Sequence, residues 1–597
     1  MGIDLKIALE KATSLARQKD HPSAKRYLKQ IEQSRRLAPG VYFAVGNVYR
    51  EMGDHQASEK CFRSVVRAIP SDKRGHLNLG SALRSQGKDS EALACFQRAI
   101  ELDPDWPEAH FNAGNALRSL GRLGEAISAY RKSISLKPGY SDACVNLGIS
   151  LHEFGDYISS VEVFSQLLES GTAEPDLAFL NRASARFKLK QYDLALEDAA
   201  NVLEIDPSNA KAMAIQGAVL NDIGKPNQAL EALSRALDID PNAVEPLTNR
   251  GVVLQGLLRV SEAINDYERA LQLENHVQAK WNLALARLLL GDFKLGWELY
   301  ESRFGKQEFK NFFDQRPGAL LPSLEAARNR VILVVWEQGL GDTLQFVRFL
   351  PELSDVASKV VLDLQPSVRS LIERLDVRLE WAYEQTTRPE IDFHVPLMSL
   401  PRIMGTSIGS IPLRSGYLRA HQSHIEKFEA ILSHRLDGKK VKRIGLVWSG
   451  SLAHSGDKKR SIPLRGFLMP FADLIGFELI SLQKDIREED EATLRNSKVI
   501  DLRHHIDTFE DTAALCSLCD LVVSVDTSVC HLAGALGVPT WVLLPFAPDF
   551  RWLLSRLDSP WYSSVRLFRQ PELGAWREVM SAVRSQLVQQ GYCSEAV

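Results

Sequence analysis

The sequence predicts two joined architectures: an all-α solenoid over residues 1–305, and an α/β region of two doubly wound halves from about residue 330 onward. Three observations carry this. Small residues recur at a 34-residue interval through the first half of the chain. That interval stops near residue 305, and short β-rich apolar runs then alternate with helical segments. With 597 residues, 45% hydrophobic and 25% charged, the composition is that of folded globular protein, not of a disordered or fibrous chain. A formal net charge of -3 provides no general field for nucleic acid or anionic membrane, so any partner is selected locally. No apolar run reaches the length of a membrane span, and MGIDLKIALEKA carries charges where a signal peptide is apolar. Lys6 stands where a myristoylation motif needs Ser or Thr. With seven scattered cysteines, these features lead us to expect a cytoplasmic protein.

The solenoid is read column by column. Gly46, Gly80, Gly114 and Gly148 stand 34 residues apart, and after one extra residue the column continues as Ala183, Gly217 and Gly251. Small residues there let two helices approach closely. Gly53, Gly87, Gly121, Gly155 and Gly224 mark the turn inside each repeat, and Pro70, Pro104, Pro138, Pro207 and Pro241 separate one repeat from the next. Phe62, Phe96, Tyr130, Phe164 and Tyr267 are expected to fill the space between neighbouring repeats. This register resembles the tetratricopeptide repeat. Some seven repeats keep it, a degenerate first copy fits residues 5–38 and a partial last one fits 278–305; a solenoid of about eight repeats, the first and last degenerate, is expected. The resemblance implies a superhelix with a concave, protein-binding groove. Asn78, Asn112, Asn146, Asn181, Asn249 and Asn282 lie two residues before the small column. Side-chain amides there are suited to gripping an extended peptide backbone, or else to bridging neighbouring repeats. The arrangement is similar to the asparagine ladder of protein O-GlcNAc transferases, which implies an acceptor peptide in the groove.

Past a linker at 306–329, the runs 331–336, 359–365, 443–448, 477–483, 520–526 and 540–545 read as buried parallel strands. They form two Rossmann-like halves, 330–425 and 440–597, the second ending in a helix. Ligands of such sheets bind beyond the carboxyl ends of strands. At the first such end, VVWEQGLGDTLQF, Asp342 either caps the next helix or serves as a base, and Glu337 is the rival base. At the second, Ser449, Gly450 and Ser451 form a small-residue turn suited to phosphate oxygens, and Arg460 is placed to fold back over a diphosphate. Lys458 reads as solvated. At the third, Gln483 and Lys484 would meet a nucleobase, ribose or phosphate, or are plain surface polar residues. At the fourth, Asp526 precedes Thr527 and Ser528 at a helix N-terminus whose unpaired amides favour a pyrophosphate, with His531 one turn on. Asp549, Arg551 and Trp552 either close over the cleft or pack between halves. Cys516 and Cys519, and His504 and His505, read as core or surface, and no metal site is expected.

The Gly341-Asp342 pair and the Asp526-Thr527-Ser528…His531-Leu532 segment resemble heptosyltransferase-like glycosyltransferases of the two-domain GT-B fold. The resemblance implies a nucleotide-sugar donor with no further cofactor, held by the second half. It also implies an acceptor on the side of the first half and inverting, metal-independent transfer. Among bacterial proteins with this layout, the chain resembles flagellin O-glycosyltransferases, which implies a protein acceptor, flagellin Ser or Thr. The alternatives are an interaction scaffold whose transferase-like region no longer turns over, and transfer to a lipid-linked glycan.

Overall fold

The structure is a computed structural model that describes residues 5–34, 37–306, 309, 313, 315–375, 377–382, 390–414, 416–435, 441–452 and 456–595. It forms two compact units, Met1–Pro241 and Asn242–Val597.

Among the described residues of the first unit, fourteen helices run from Leu5–Arg17 to Pro226–Ile239 as consecutive hairpins. The sequence dictates each hairpin locally. Gly53 takes a left-handed φ of 74°, and Asp54 then caps the helix His55–Ala68 by accepting from the Ala57 amide at 3.2 Å. Gly155 and Asp156 repeat this before Tyr157–Glu169. A Cβ at Gly80 would come within 2.5 Å of the Phe96 ring, so helices Lys73–Arg84 and Asp89–Leu102 pack at a distance only glycine permits. The aromatic column therefore sits on the small residue of its own repeat, where it was expected to fill the space between neighbouring repeats. Fully buried, a ring such as Phe96 contributes about 1.5–3 kcal/mol. One pair of helices is held differently. Buried Asp198 accepts from Arg182 at 2.7 and 3.0 Å and from Arg186 at 2.8 Å.

In the second unit, two more helical pairs, Val244–Gly256 with Val260–Leu273 and Val277–Leu289 with Phe293–Tyr300, precede the α/β region. The described residues thus hold nine pairs where about eight repeats are expected. Arg250 and Asp266 pair here at 2.8 Å, in the same register as Arg182 and Asp198.

The α/β region contains two five-stranded sheets, both wholly parallel. The first comprises β1 (Ala319–Leu320), β2 (Val331–Val335), β3 (Lys359–Asp363), β4 (Leu379–Trp381) and β5 (Phe393–Pro396) in the order β1-β5-β2-β3-β4. Its edge strand β1 lies in the stretch read as a linker. The second comprises β6 (Lys442–Val447), β8 (Phe477–Ser481), β9 (Leu521–Val525), β10 (Thr540–Leu544) and β11 (Val565–Arg569) in the order β11-β10-β9-β6-β8. A short antiparallel pair, β7 (Leu474–Ile475) with β12 (Ser594–Glu595), lies beside it. The expected C-terminal helix is Trp576–Gln589, and its Val579, Met580, Val583 and Leu587 stripe joins the core of the second sheet. The polar segment between the halves contains the helix Gln422–Arg435, tied to the helix Phe509–Ser517 by His424 and Lys427 on Asp511.

Candidate active site

The carboxyl ends of β2, β6 and β9 converge on a cavity of about 710 Å3. From the first half comes the turn after β2, where Gly339 opens the helix Leu340–Phe346. Asp342 occupies the third position of that helix, and its Oδ2 accepts from the Gly339 amide at 2.9 Å. Of the two roles weighed for Asp342, cap and base, this is the capping contact, and it leaves Oδ1 turned to the cleft and to Arg551, with which it forms an ion pair. Burial raises the Asp342 carboxyl above the usual carboxylate range, while the Arg551 charge pulls it back. Arg551 itself, lowered by burial, is driven above its ordinary value by Asp549 and Asp342 and stays cationic.

The second half supplies the helix Ser528–Leu536, whose N-terminal turn lines the cavity with Asp526, Thr527, Ser528 and His531. A Cβ at Gly341 would approach the His531 ring to 3.0 Å, so glycine lets the N-termini of the two helices meet across the cleft. Arg460 donates to the Asp526 carbonyl at 2.8 Å, and its guanidinium covers Gly450, where a Cβ would lie 2.7 Å from Nη2. Beneath it, buried Asp457 accepts from Ser461 Oγ at 2.7 Å and pairs with Arg487, and the Gly450 amide donates to Ser461 Oγ at 3.0 Å. This support was not anticipated. Asp457 stands in a polar run, and nothing in the pattern separates a buried carboxylate there from a solvated one.

Burial, then the charges of Arg551, Arg348 and Arg460, hold His531 well below its usual pKa, so the imidazole is neutral. Its Nδ1 lies 3.0 Å from Tyr562 Oη, and the ring stacks on Trp552 at 5.3 Å. Burial and the neighbouring Asp549 charge push Asp526 up to about 6. Asp526, Cys530 and His531 have ligand atoms within 4.8 Å of one another. Burial raises the Cys530 thiol well above its usual range, and three guanidinium groups surround the trio, so the field there favours an anion over a cation.

A second cavity of about 670 Å3 shares Gly450, Ser451, Thr527 and Ser528 with the first and is lined further by Ser449, Gln483 and Lys484. Ser449 Oγ is buried without a hydrogen-bond partner among the described residues. Gln483 is not presented as a free amide. It donates to the Ser449 carbonyl at 3.0 Å and accepts from the Ser449 amide at 3.3 Å, clamping the ends of β6 and β8 together. Lys484 is exposed and donates to the Asp507 carbonyl at 3.1 Å. Residues 453–455 of the β6 turn lie outside the described residues.

Glu337 is the main correction. Its carboxylate does not line the cleft. With a side chain 1% exposed, it accepts from Arg303 at 2.6 and 3.0 Å and from the Met398 amide at 3.1 Å. Glu337 is held by Arg303 and does not line the cavity that Asp342 faces, so it is not retained as a base.

Comparison with known families matches tetratricopeptide-repeat models to residues 39–72, 107–140, 145–210 and 180–244, and a TPR-repeat model to 80–117. The helical hairpins are tetratricopeptide repeats. The chain is also similar to Protein FlbA of Caulobacter vibrioides (strain ATCC 19089 / CIP 103742 / CB 15), with 27% identity over 326 residues, 50% of this chain and 53% of FlbA. It thus spans about half the length of that curated relative. Similar solved structures include a tetratricopeptide repeat protein from Parabacteroides merdae ATCC 43184, at 18% identity and TM-score 0.37, covering 42% of this chain and 98% of that one. The APC/C hetero-tetramer Cut9-Hcn1 matches at 19% identity and TM-score 0.34, covering 47% and 55%.

Within the tetratricopeptide repeats two members of the asparagine column bridge neighbouring repeats. Asn78 accepts from Arg50 of the preceding repeat at 2.6 Å, and Asn146 donates to Asn115 at 2.8 Å, both bridging repeats. Asn112 and Asn181 donate to carbonyls one turn back, Glu108 and Leu177, each at 2.8 Å, and remain half-buried. In the second unit Asn249 is half-buried, whereas Asn282 is buried and accepts from Gln278 at 2.9 Å. No helix among the described residues is long and apolar enough to cross a membrane.

Proposed function

We propose that this chain is an inverting glycosyltransferase of the GT-B type that transfers a sugar from a nucleotide-sugar donor to a protein captured by its tetratricopeptide repeats. Flagellin Ser or Thr is the acceptor class that the sequence resemblance favours. One observation carries the reading. A carboxylate raised by burial, Asp342, stands at the end of a strand in one half, across a cavity from an arginine and a helix N-terminus in the other. In the displacement, the acceptor hydroxyl attacks the anomeric carbon and Asp342 takes its proton. The bond to the donor diphosphate breaks, and negative charge develops on the leaving oxygen. The amides at Ser528 and Val529, with Arg460 anchored over Gly450, supply the positive potential that this charge needs. The upward shift makes the Asp342 carboxylate a stronger proton acceptor than an ordinary one.

The test is transfer of label from a panel of nucleotide sugars to proteins of a cell extract, comparing the wild-type chain with Asp342→Asn. Transfer should fall by about 100-fold or more while nucleotide binding is retained. A second reading, a nucleotide-binding scaffold without turnover, draws on one feature: both Asp342 oxygens are engaged, by Gly339 and by Arg551. Nucleotide binding with no transfer by the wild type would favour it.

A further inference from the structure

The last helical pair turns its apolar face to the α/β body of its own unit. Phe293 stacks on Trp561 at 5.7 Å with the rings 24° apart, and Trp297, 1% exposed, meets Phe346 and Phe550 edge-on, each at 5.8 Å. These two rings flank the reacting groups. Phe346 ends the helix that carries Asp342, and Phe550 directly precedes Arg551, the ion-pair partner of Asp342. On the amino side of Asp342, Tyr300 Oη accepts from Gln338 at 2.8 Å, and fully buried Arg303 grips Glu337 and donates to Ser399 Oγ at 2.7 Å. Residues 337, 338, 346 and 550 thus all rest on one short stretch, 293–303. Its eight-residue helix would be marginal alone, so its order comes from this packing and is shared with what it packs on.

We infer that this final repeat is a positioning element of the active site: Tyr300 and Arg303 seat the turn that aims Asp342, and Trp297 seats Phe550 and thereby Arg551. The inference rests on the transferase reading for its catalytic consequence, but not for its geometry. It also gives Glu337 a role, as the anchor of the turn.

The test uses the full chain with Tyr300→Phe, which removes one hydroxyl, and with Gln338→Ala, which removes the same bond from the other side. Hydrogen exchange of the Gly339 amide reads the seat of Asp342 directly, because that amide donates to Asp342 Oδ2. Both variants are expected to speed exchange at Gly339 by about tenfold and to lower kcat by about tenfold, and Tyr300→Phe, whose side chain does not line the cavity, to leave β9, donor KM and the affinity for inorganic pyrophosphate unchanged. Unchanged Gly339 exchange in both variants overturns the inference, whether or not the protein turns over. Absence of transfer by the wild type overturns the transferase reading instead, so the two failures are distinct.

Discussion

Two residues set the charge balance of the cleft. Burial and Asp549 push the Asp526 carboxyl up to about 6, whereas an unfolded aspartate releases its proton near 3.8. Between these values the native state holds the extra proton, so the stability contributed by this group falls as pH rises through that window, by up to about 3 kcal/mol. An anion beside Asp526 meets a neutral carboxyl below the upper value and a charge above it. Pyrophosphate affinity is therefore expected to weaken as pH rises through about 6, and Asp526→Asn should flatten that dependence, as measured by calorimetry from pH 5 to 8. Gly450→Ala is a second probe, because its methyl group must displace the Arg460 guanidinium. We expect the fold to persist and pyrophosphate affinity to fall by about tenfold, the loss of one charge-assisted contact. At this scale the sequence was readable where a residue's position follows from its place at a strand end, as for Asp342, Arg460, Thr527 and Ser528, which all line one cavity. It was not readable for Glu337 or Asp457. Their roles are fixed by partners, Arg303 and Arg487, supplied by elements distant in sequence.

Elements follow the same logic. The helical hairpins are legible because glycine, aspartate and aromatic columns repeat at one interval, each with a local physical cause. The strands β2, β3, β6, β8, β9 and β10 are legible because they are continuous apolar runs buried on both faces. β5 and β11 are not, since His394 and Pro396 interrupt one, although both are buried, and Arg566 and Arg569 interrupt the other, where the sheet is only partly covered. The pairing of Asp198 with Arg182 and Arg186 was likewise invisible, because a charged residue in a repeat reads as solvated face. Asp198→Ala leaves two guanidinium groups facing an emptied, buried site. It should cost about 3–5 kcal/mol, read as a lowered midpoint of urea unfolding in the first unit. An unchanged midpoint would mean that the pair is solvated after all.

On the scale of the whole molecule, periodicity and compactness place the boundary differently. The 34-residue pattern runs on to about 305, while the compact units divide at Pro241 and Asn242. The last two helical pairs keep the repeat register but share the fold of the α/β region, through Trp297, Phe293 and Arg303. A chain beginning at Asn242 is therefore expected to fold cooperatively and bind pyrophosphate. One beginning at residue 306 exposes Phe346, Phe550 and Trp561 and should melt non-cooperatively or aggregate. Circular dichroism melts of the two chains decide the matter, and equal cooperativity would contradict this assignment.

We propose that Asp342 and the helix N-terminus at Ser528 together perform sugar transfer to protein. Intact-mass spectrometry of acceptor proteins after incubation with nucleotide sugars and either wild-type chain or Asp342→Asn measures this most directly. The wild type is expected to add a mass increment of one sugar, and Asp342→Asn to lose it at undiminished nucleotide binding. The same increment from both proteins would contradict it.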